Sequence, residues 1–358
     1  MKKIVSFFIL SAFLSLNTVW AQSITSEQQV KIDGLVAEYM RTSKVPGLSL
    51  SIAKKGEIIY SQGYGWADIE QKVAVDPAKT KFRIASISKT LTADALMQLV
   101  EAGKLDLDAP VQKYVPTFPE KRWPLTTRII GGHLGGVRHY RGDEMLSAKF
   151  YPNVAQGLEI FKDDSLMFEP GTKYSYSSYG YNLISAVVEG AAGMDFLTYM
   201  QLNVFDKLNM FNTTPEFMNS IIPNRGRYYE RKGDGVENSP YVDNSYKWAG
   251  GGFLSTSEDL IKFAKAHTKP GFLSKKSLNT ITTSQKTSDG KETKYGIAWR
   301  TDIDKEGHHW IGHTGGAVGG TSKFMIYPDE KIIVVVLTNL SSGRLGNLPD
   351  KISWVVME

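Results

Sequence analysis

The chain has 358 residues, 42% of them hydrophobic and 22% charged, with a formal charge of +5 and no cysteine. This is a globular composition, neither disordered nor fibrous. Without cysteine there is no disulfide, no thiolate metal ligand and no cysteine nucleophile. Without a basic run nothing tracks a phosphate backbone, so nucleic acid is not expected as a partner.

Residues 1–21 read as an export signal. Lys2 and Lys3 give a positive start, Ile4 to Leu16 an apolar core, and Val19-Trp20-Ala21 a small-residue cleavage site before Gln22. The apolar run is shorter than the ~20 residues that cross a bilayer. Removal is therefore expected, with no stable membrane anchor afterwards and a periplasmic or secreted location. No linker or repeat divides residues 22–358, which are expected to form one domain.

Thr25 or Ser26 can cap a helix that places Ile32, Leu35, Val36, Tyr39 and Met40 on one face and ends at Pro46-Gly47. Leu48, Leu50 and Ile52 alternate with Ser49 and Ser51, as in a strand with one buried face. Lys54-Lys55-Gly56 turns the chain into a second strand, Glu57 to Gln62. After Phe82-Arg83-Ile84-Ala85-Ser86 a helix carries Ile87, Leu91, Leu96, Leu99 and Val100, and Gly103 stops it. Residues 105–290 read as helix and loop. They include a helix from Tyr179 to Gly190 and a capping box, Ser255-Thr256-Ser257-Glu258, that opens another.

Strands return in Tyr295 to Arg300, His308 to Gly312 and Lys323 to Tyr327. Pro328-Asp329 is a turn, and Ile332 to Leu337 is a buried strand. Strands at both ends with helices between them imply an α+β fold, one sheet built from both chain ends beside a mostly helical insertion.

None of the six histidines (133, 139, 267, 308, 309, 313) stands in metal-ligand spacing, so hydrogen-bonded structural roles are expected, with no metal or other cofactor. The glycine-rich run Gly315 to Gly320 leads into a strand and lacks the helix N-terminus of a phosphate cradle. No Gly-x-Ser-x-Gly elbow is present. Ser-x-x-Lys occurs twice. Ser51 and Lys54 lie on a strand, where residues three apart point to opposite faces. Ser86 and Lys89 open a helix, where residues three apart share a face, and the positive helix end favours an alkoxide at Ser86 and a neutral amine at Lys89.

The segment Phe82-Arg83-Ile84-Ala85-Ser86-Ile87-Ser88-Lys89-Thr90 resembles the nucleophile motif of the serine β-lactamase and penicillin-binding protein superfamily, in particular its class C-like branch. Tyr174-Ser175-Tyr176-Ser177-Ser178 is similar to that branch's second element, usually Tyr-x-Asn. His313-Thr314-Gly315-Gly316 is similar to its third, usually Lys-Thr-Gly. The segments Gly135 to Tyr140 and Tyr241 to Thr256 point, within the superfamily, to the group of the mitochondrial serine β-lactamase-like proteins and their bacterial relatives.

The resemblance implies a β-lactamase/transpeptidase-like fold with an antiparallel sheet. It implies Ser86 as acylated nucleophile, Lys89 as the group that holds or takes its proton, and Tyr176 as a shared acid/base, a phenol beside a cation. The backbone N–H groups of Ser86 and Gly316 would form the oxyanion hole. Ser178, His313, Thr314 and Gly315 would contact substrate, with Gly251 and Gly252 letting backbone approach it. His313 would bond Tyr176 or, protonated, meet a substrate carboxylate. Asp243, Asn244 and Ser245 read as rim residues or a turn.

Ser178 stands where Asn is usual, His313 where Lys is usual, and Gly135 where a Ser often precedes glycine. The expected protein is an exported serine hydrolase acting on a peptide, a D-amino-acid amide or an ester, and a weak β-lactamase at best. Its partner is then a small-molecule or peptide substrate. The alternative is a penicillin-recognising binding protein or a self-assembling scaffold with little turnover, although nothing in the sequence supports self-association.

Overall fold

The computed structural model describes residues 23–358; the expected export segment lies outside them. Seven strands form the main sheet: β1 (Gly47–Lys54), β2 (Glu57–Asp68), β3 (Val73–Ala74), β4 (Arg300–Ile303), β5 (His309–Ala317), β6 (Gly320–Tyr327) and β7 (Ile332–Thr338). Their order is β3-β2-β1-β7-β6-β5-β4, with every neighbour antiparallel. The two chain ends meet where β1 pairs β7, with Leu48 opposite Thr338 and Ile52 opposite Val334. The helices that matter for the site are α1 (Ser26–Ser43), α2 (Ser88–Glu101), α3 (Ser178–Ala192), α4 (Ser257–Lys265) and α5 (Leu348–Met357).

Strand periodicity sorts the core into two layers. Ile332, Val334 and Val336 join Leu48, Leu50 and Ile52 against Ile32 and Val36 of α1 and Ile352 of α5. Ile333, Val335 and Leu337 point the other way, into a larger core with Phe324, Phe263, Trp299 and the apolar residues of α2 and α3. Ser49 and Ser51, expected on a wet face, are buried on that second side. The hydroxyl of Ser257 on α4 stands 2.7 Å from each of theirs. A serine face is compatible with burial when its hydroxyls satisfy one another.

Several boundaries differ from expectation for local reasons. Lys44 adopts a left-handed backbone, φ 55°, and ends α1 before Pro46-Gly47 is reached. Lys55 and Gly56 both have positive φ, the geometry that a tight two-residue hairpin demands. The cap of α4 is Thr256, whose hydroxyl accepts from Asp259 N at 3.1 Å, so the box expected from Ser255 to Glu258 does not form. Tyr295 to Trp299 is not a strand: Lys294 and Ala298 have positive φ, and the segment folds into the core before β4 begins at Arg300.

The stretch 105–290 is not helix and loop alone. Phe253–Ser255 pairs with both Phe82–Arg83 and Thr214–Pro215, Tyr229–Lys232 pairs with Gly235–Asn238, and α4 lies on the main sheet. These strands are two to four residues long, too short for a pattern to register.

Beside the three-stranded sheet a buried ion pair ties distant segments together. Arg83 is 3% and Glu216 1% exposed, with Nε donating to Oε2 at 2.8 Å. Arg83 Nη1 also donates to Val318 O at 2.7 Å, and Asn244 Nδ2 donates to Glu216. Removing one partner strands the other charge. Glu216→Leu is therefore expected to lower the unfolding free energy by ~3–5 kcal/mol, with Arg83→Met/Glu216→Leu together recovering part of it. Urea titration of the three variants measures this; equal stability of wild type and Glu216→Leu would contradict it.

Candidate active site

Ser86 lies on a short 3-10 turn, Ala85–Ile87, that joins the strand Phe82–Arg83 to α2. Ala85 has φ 50°, a left-handed conformation that costs a non-glycine residue free energy unless its surroundings impose it. They do so here. Ser322 Oγ of β6 donates to Ile84 O at 2.8 Å, and Ile84 N donates to Phe253 O at 3.2 Å. Gly315 of β5 lies so close that an added Cβ would come within 2.4 Å of Ile84 O and 3.0 Å of Ala85 Cβ. The turn is thus held against the sheet by a glycine that permits contact.

Lys89, the next residue but two, is wholly buried. Its Nζ lies 3.1 Å from Ser86 Oγ, 3.2 Å from Ser178 Oγ and 2.5 Å from Gly250 O. Among the described residues no carboxylate bonds it. Burial, reinforced by the neighbouring Lys247, holds the amine well below the ordinary lysine range. The other Ser-x-x-Lys copy has no such geometry: Ser51 is buried beneath α4, and Lys54 Nζ donates to Val356 O at 3.0 Å on the far side of the strand.

Tyr176 faces the same amine, with Lys89 Nζ 5.0 Å from its ring centre. Burial pushes its phenol well above the usual range, against a smaller opposing pull from Ser86. The expected neutral amine at Lys89 agrees with the downward direction of its pKa, whereas the expected loss of the Tyr176 proton beside a cation is corrected: burial favours the protonated phenol. Ser178, the first residue of α3, accepts from Lys89 Nζ through its one hydroxyl.

Two histidines not singled out for the site hold this segment in place. His133 Nδ1 accepts from Ser177 N, and His139 Nδ1 accepts from Ser178 N, each at 3.1 Å. Both rings are therefore held neutral at Nδ1. Burial, aided by the charge of Arg300, pushes His133 well below its ordinary value, and burial, aided by Lys247, brings His139 down to about 4. The His133 ring also packs against Tyr176, tilted by 45° with ring centres 4.2 Å apart.

On the sheet side, Thr314 and Gly316 of β5 are exposed to the cleft, and no atom lies within 4 Å of where a Gly316 side chain would begin. His313 is buried. Its Nε2 accepts from Tyr295 Oη at 2.8 Å, and its Nδ1 is bonded to Thr314 O. Burial keeps this ring well below the usual histidine range, and Arg300 lowers it further. His313 bonds Tyr295 rather than Tyr176, then, and as a neutral ring it offers a carboxylate no charge.

Gly315 packs against the nucleophile turn instead of lining the cleft. Gly252 packs against Trp248 and Asn244, while Gly250 and Gly251 line the cleft in its place. Asp243, Asn244 and Ser245 are buried: Ser245 Oγ accepts from Tyr151 N, and Asn244 bonds Glu216, so these residues are structural rather than rim.

These groups enclose a cavity of about 270 Å³ whose wall includes Ser86, Tyr176, Ser178, Thr314 and Gly316. Its wall also contains Arg300 and Lys247, which the sequence did not disclose. An arginine at a strand end reads as a solvated charge. The aromatic neighbours Tyr246 and Trp248 were the one hint that Lys247 is buried.

A buried neutral amine against a serine hydroxyl, on a helix pinned to an antiparallel sheet, defines a serine hydrolase of the penicillin-recognising fold. The chain belongs to the beta-lactamase family, whose profile matches residues 32–351. Serine beta-lactamase-like protein LACTB, mitochondrial, of Homo sapiens is 34% identical over 416 aligned residues, covering 86% of this chain and 76% of that one. The octameric penicillin-binding protein homologue from Pyrococcus abyssi superposes with a TM-score of 0.79 at 26% identity, over 92% of this chain and 77% of that one. EstCE1, a hydrolase with promiscuous acyltransferase activity, superposes with a TM-score of 0.80 at 21% identity, over 92% and 98%.

Proposed function

We propose that this protein is an exported, periplasmic or secreted serine hydrolase that acts through a Ser86 acyl-enzyme on a carboxylate-bearing peptide, D-amino-acid amide or ester. The observation that carries the reading is Lys89 Nζ at 3.1 Å from Ser86 Oγ, buried and without a counter-charge. A neutral amine has two hydrogens and one lone pair. With the hydrogens given to Gly250 O and Ser178 Oγ, the lone pair faces the Ser86 hydroxyl and takes its proton.

Ser86 Oγ attacks the substrate carbonyl, and the N–H groups of Ser86 and Gly316 receive the oxyanion. Tyr176, a neutral phenol, gives its proton to the leaving group and regains one from the Lys89 ammonium. Water then repeats the sequence in reverse and frees the acid. Arg300 meets the substrate carboxylate: it lines the cleft, its Nε has no hydrogen-bond partner among the described residues, and His313 is neutral.

Intact-mass spectrometry after mixing with an aryl acetate, a D-alanyl-D-alanine peptide and a penicillin tests the reading. The expected adduct maps to Ser86 and forms more slowly with penicillin, because Ser178 cannot bond Lys89 and a substrate amide as an asparagine would. No adduct from any of the three, or an adduct elsewhere, would overturn it. Arg300→Gln is expected to raise KM for the carboxylate-terminated peptide about tenfold, a loss of ~1.4 kcal/mol, with a smaller change for the uncharged acetate. Equal changes for both would remove Arg300 from substrate binding.

A further inference from the structure

Lys247 is the cleft residue that this mechanism leaves without a task. It is 4% exposed, and among the described residues its Nζ has no hydrogen-bond or ion-pair partner. Its Nζ lies over the faces of Tyr140 and Tyr246, with ring centres 5.5 and 5.2 Å away. The acids on this side are already committed. Glu216 accepts from Arg83 and Asn244, while Glu144 accepts from Arg138, Tyr179 and the backbone of Arg141. The cavity wall holds Lys247 and Arg300 but no aspartate or glutamate. A buried amine without an anion is costly to keep, and the open direction from Lys247 is the cavity itself.

The two cations serve different ends of a substrate. Arg300 acts electrostatically on Tyr174, Tyr176 and His133 and stacks near Tyr295, on the side where Tyr176 delivers the leaving group's proton. Lys247 acts on Lys89 and His139 and lies over Tyr140 and Tyr246, on the helical side. The group that stays on Ser86 after the leaving group departs therefore extends towards Lys247.

We infer that the acyl part of the substrate carries its own carboxylate, received by Lys247, so that the preferred substrates are derivatives of dicarboxylic acids. This rests on the hydrolase reading above. Burial and the adjacent Arg83 bring the empty-site amine down to about 7, so an arriving carboxylate also fixes its charge.

The test compares 4-nitrophenyl monoesters of adipic acid with the hexanoate ester and with the neutral adipic monoamide ester, which share the leaving group. Wild type is expected to show kcat/KM at least about tenfold higher for the adipate than for either neutral ester. Lys247→Met is expected to bring that ratio close to one, and Lys247→Arg to keep part of it. A wild-type ratio of one or below overturns the inference without any variant, as does a ratio unchanged in a folded Lys247→Met. Hydrolysis of the hexanoate without acid preference overturns this inference alone, whereas failure to hydrolyse any of the esters overturns the hydrolase reading with it.

Discussion

Ser86→Ala is expected to abolish covalent labelling by a fluorophosphonate and to lower ester turnover by ~10³-fold or more, the scale on which loss of a nucleophile acts. Ser51→Ala and Ser88→Ala should both still label. Ser51 shares its hydrogen bonds with Ser257 and Ser61 beneath α4, and Ser88 Oγ accepts from Phe253 N, so neither hydroxyl meets Lys89. Peptide mapping of the labelled site decides the matter. Labelling that survived Ser86→Ala and vanished with Ser51→Ala would transfer the chemistry to the other Ser-x-x-Lys copy.

Lys89→Arg is expected to be nearly as inactive as Lys89→Ala, each losing ~10²–10⁴-fold in acylation rate. Arginine keeps a charge but gives up no proton in the accessible pH range, and its planar fork does not fit between Ser86, Ser178 and Gly250. The same reasoning sets the pH dependence. The reactive form is the free amine, so the acylation rate of the wild type rises with pH through the Lys89 pKa and then levels. Burial lowers that pKa, so the limb lies well below pH 10.5. Pre-steady-state acylation across the pH range reads both effects; a Lys89→Arg enzyme with most of its activity would reduce Lys89 to an electrostatic partner of Ser86.

How much of this was readable from residues alone depends on the length scale of each signal. One sheet built from both chain ends and the helices α1, α2 and α3 follow from apolar patterns at strand and helix period, and they were legible. So was the choice of Ser86 over Ser51, because helix and strand place residues three apart on the same or opposite faces. The neutral amine at Lys89 was legible from its place on the helix, but the protonation states of Tyr176 and His313 were not. They depend on how much water reaches the two rings, which is set by segments distant in sequence. Likewise Gly252 is expected at the cleft because glycine suits ligand contact, and Gly315 because of its motif, yet each allows close backbone packing. Arg300 and Lys247 carry no local pattern, since each becomes a cleft residue only through the fold around it.

The sheet that joins the two chain ends also governs when the protein comes to exist as a catalyst. The nucleophile turn is translated first, and the parts that force Ala85 into its left-handed conformation, Gly315 and Ser322, follow about 230 residues later. Until β5, β6 and β7 have been made, β1 lacks its partner on one edge and Ser86 has no wall opposite it. Pairings so distant in sequence form slowly, because a long loop must close before any contact rewards it. An unfinished or C-terminally clipped chain therefore carries the serine and the lysine without the cleft that lets them react.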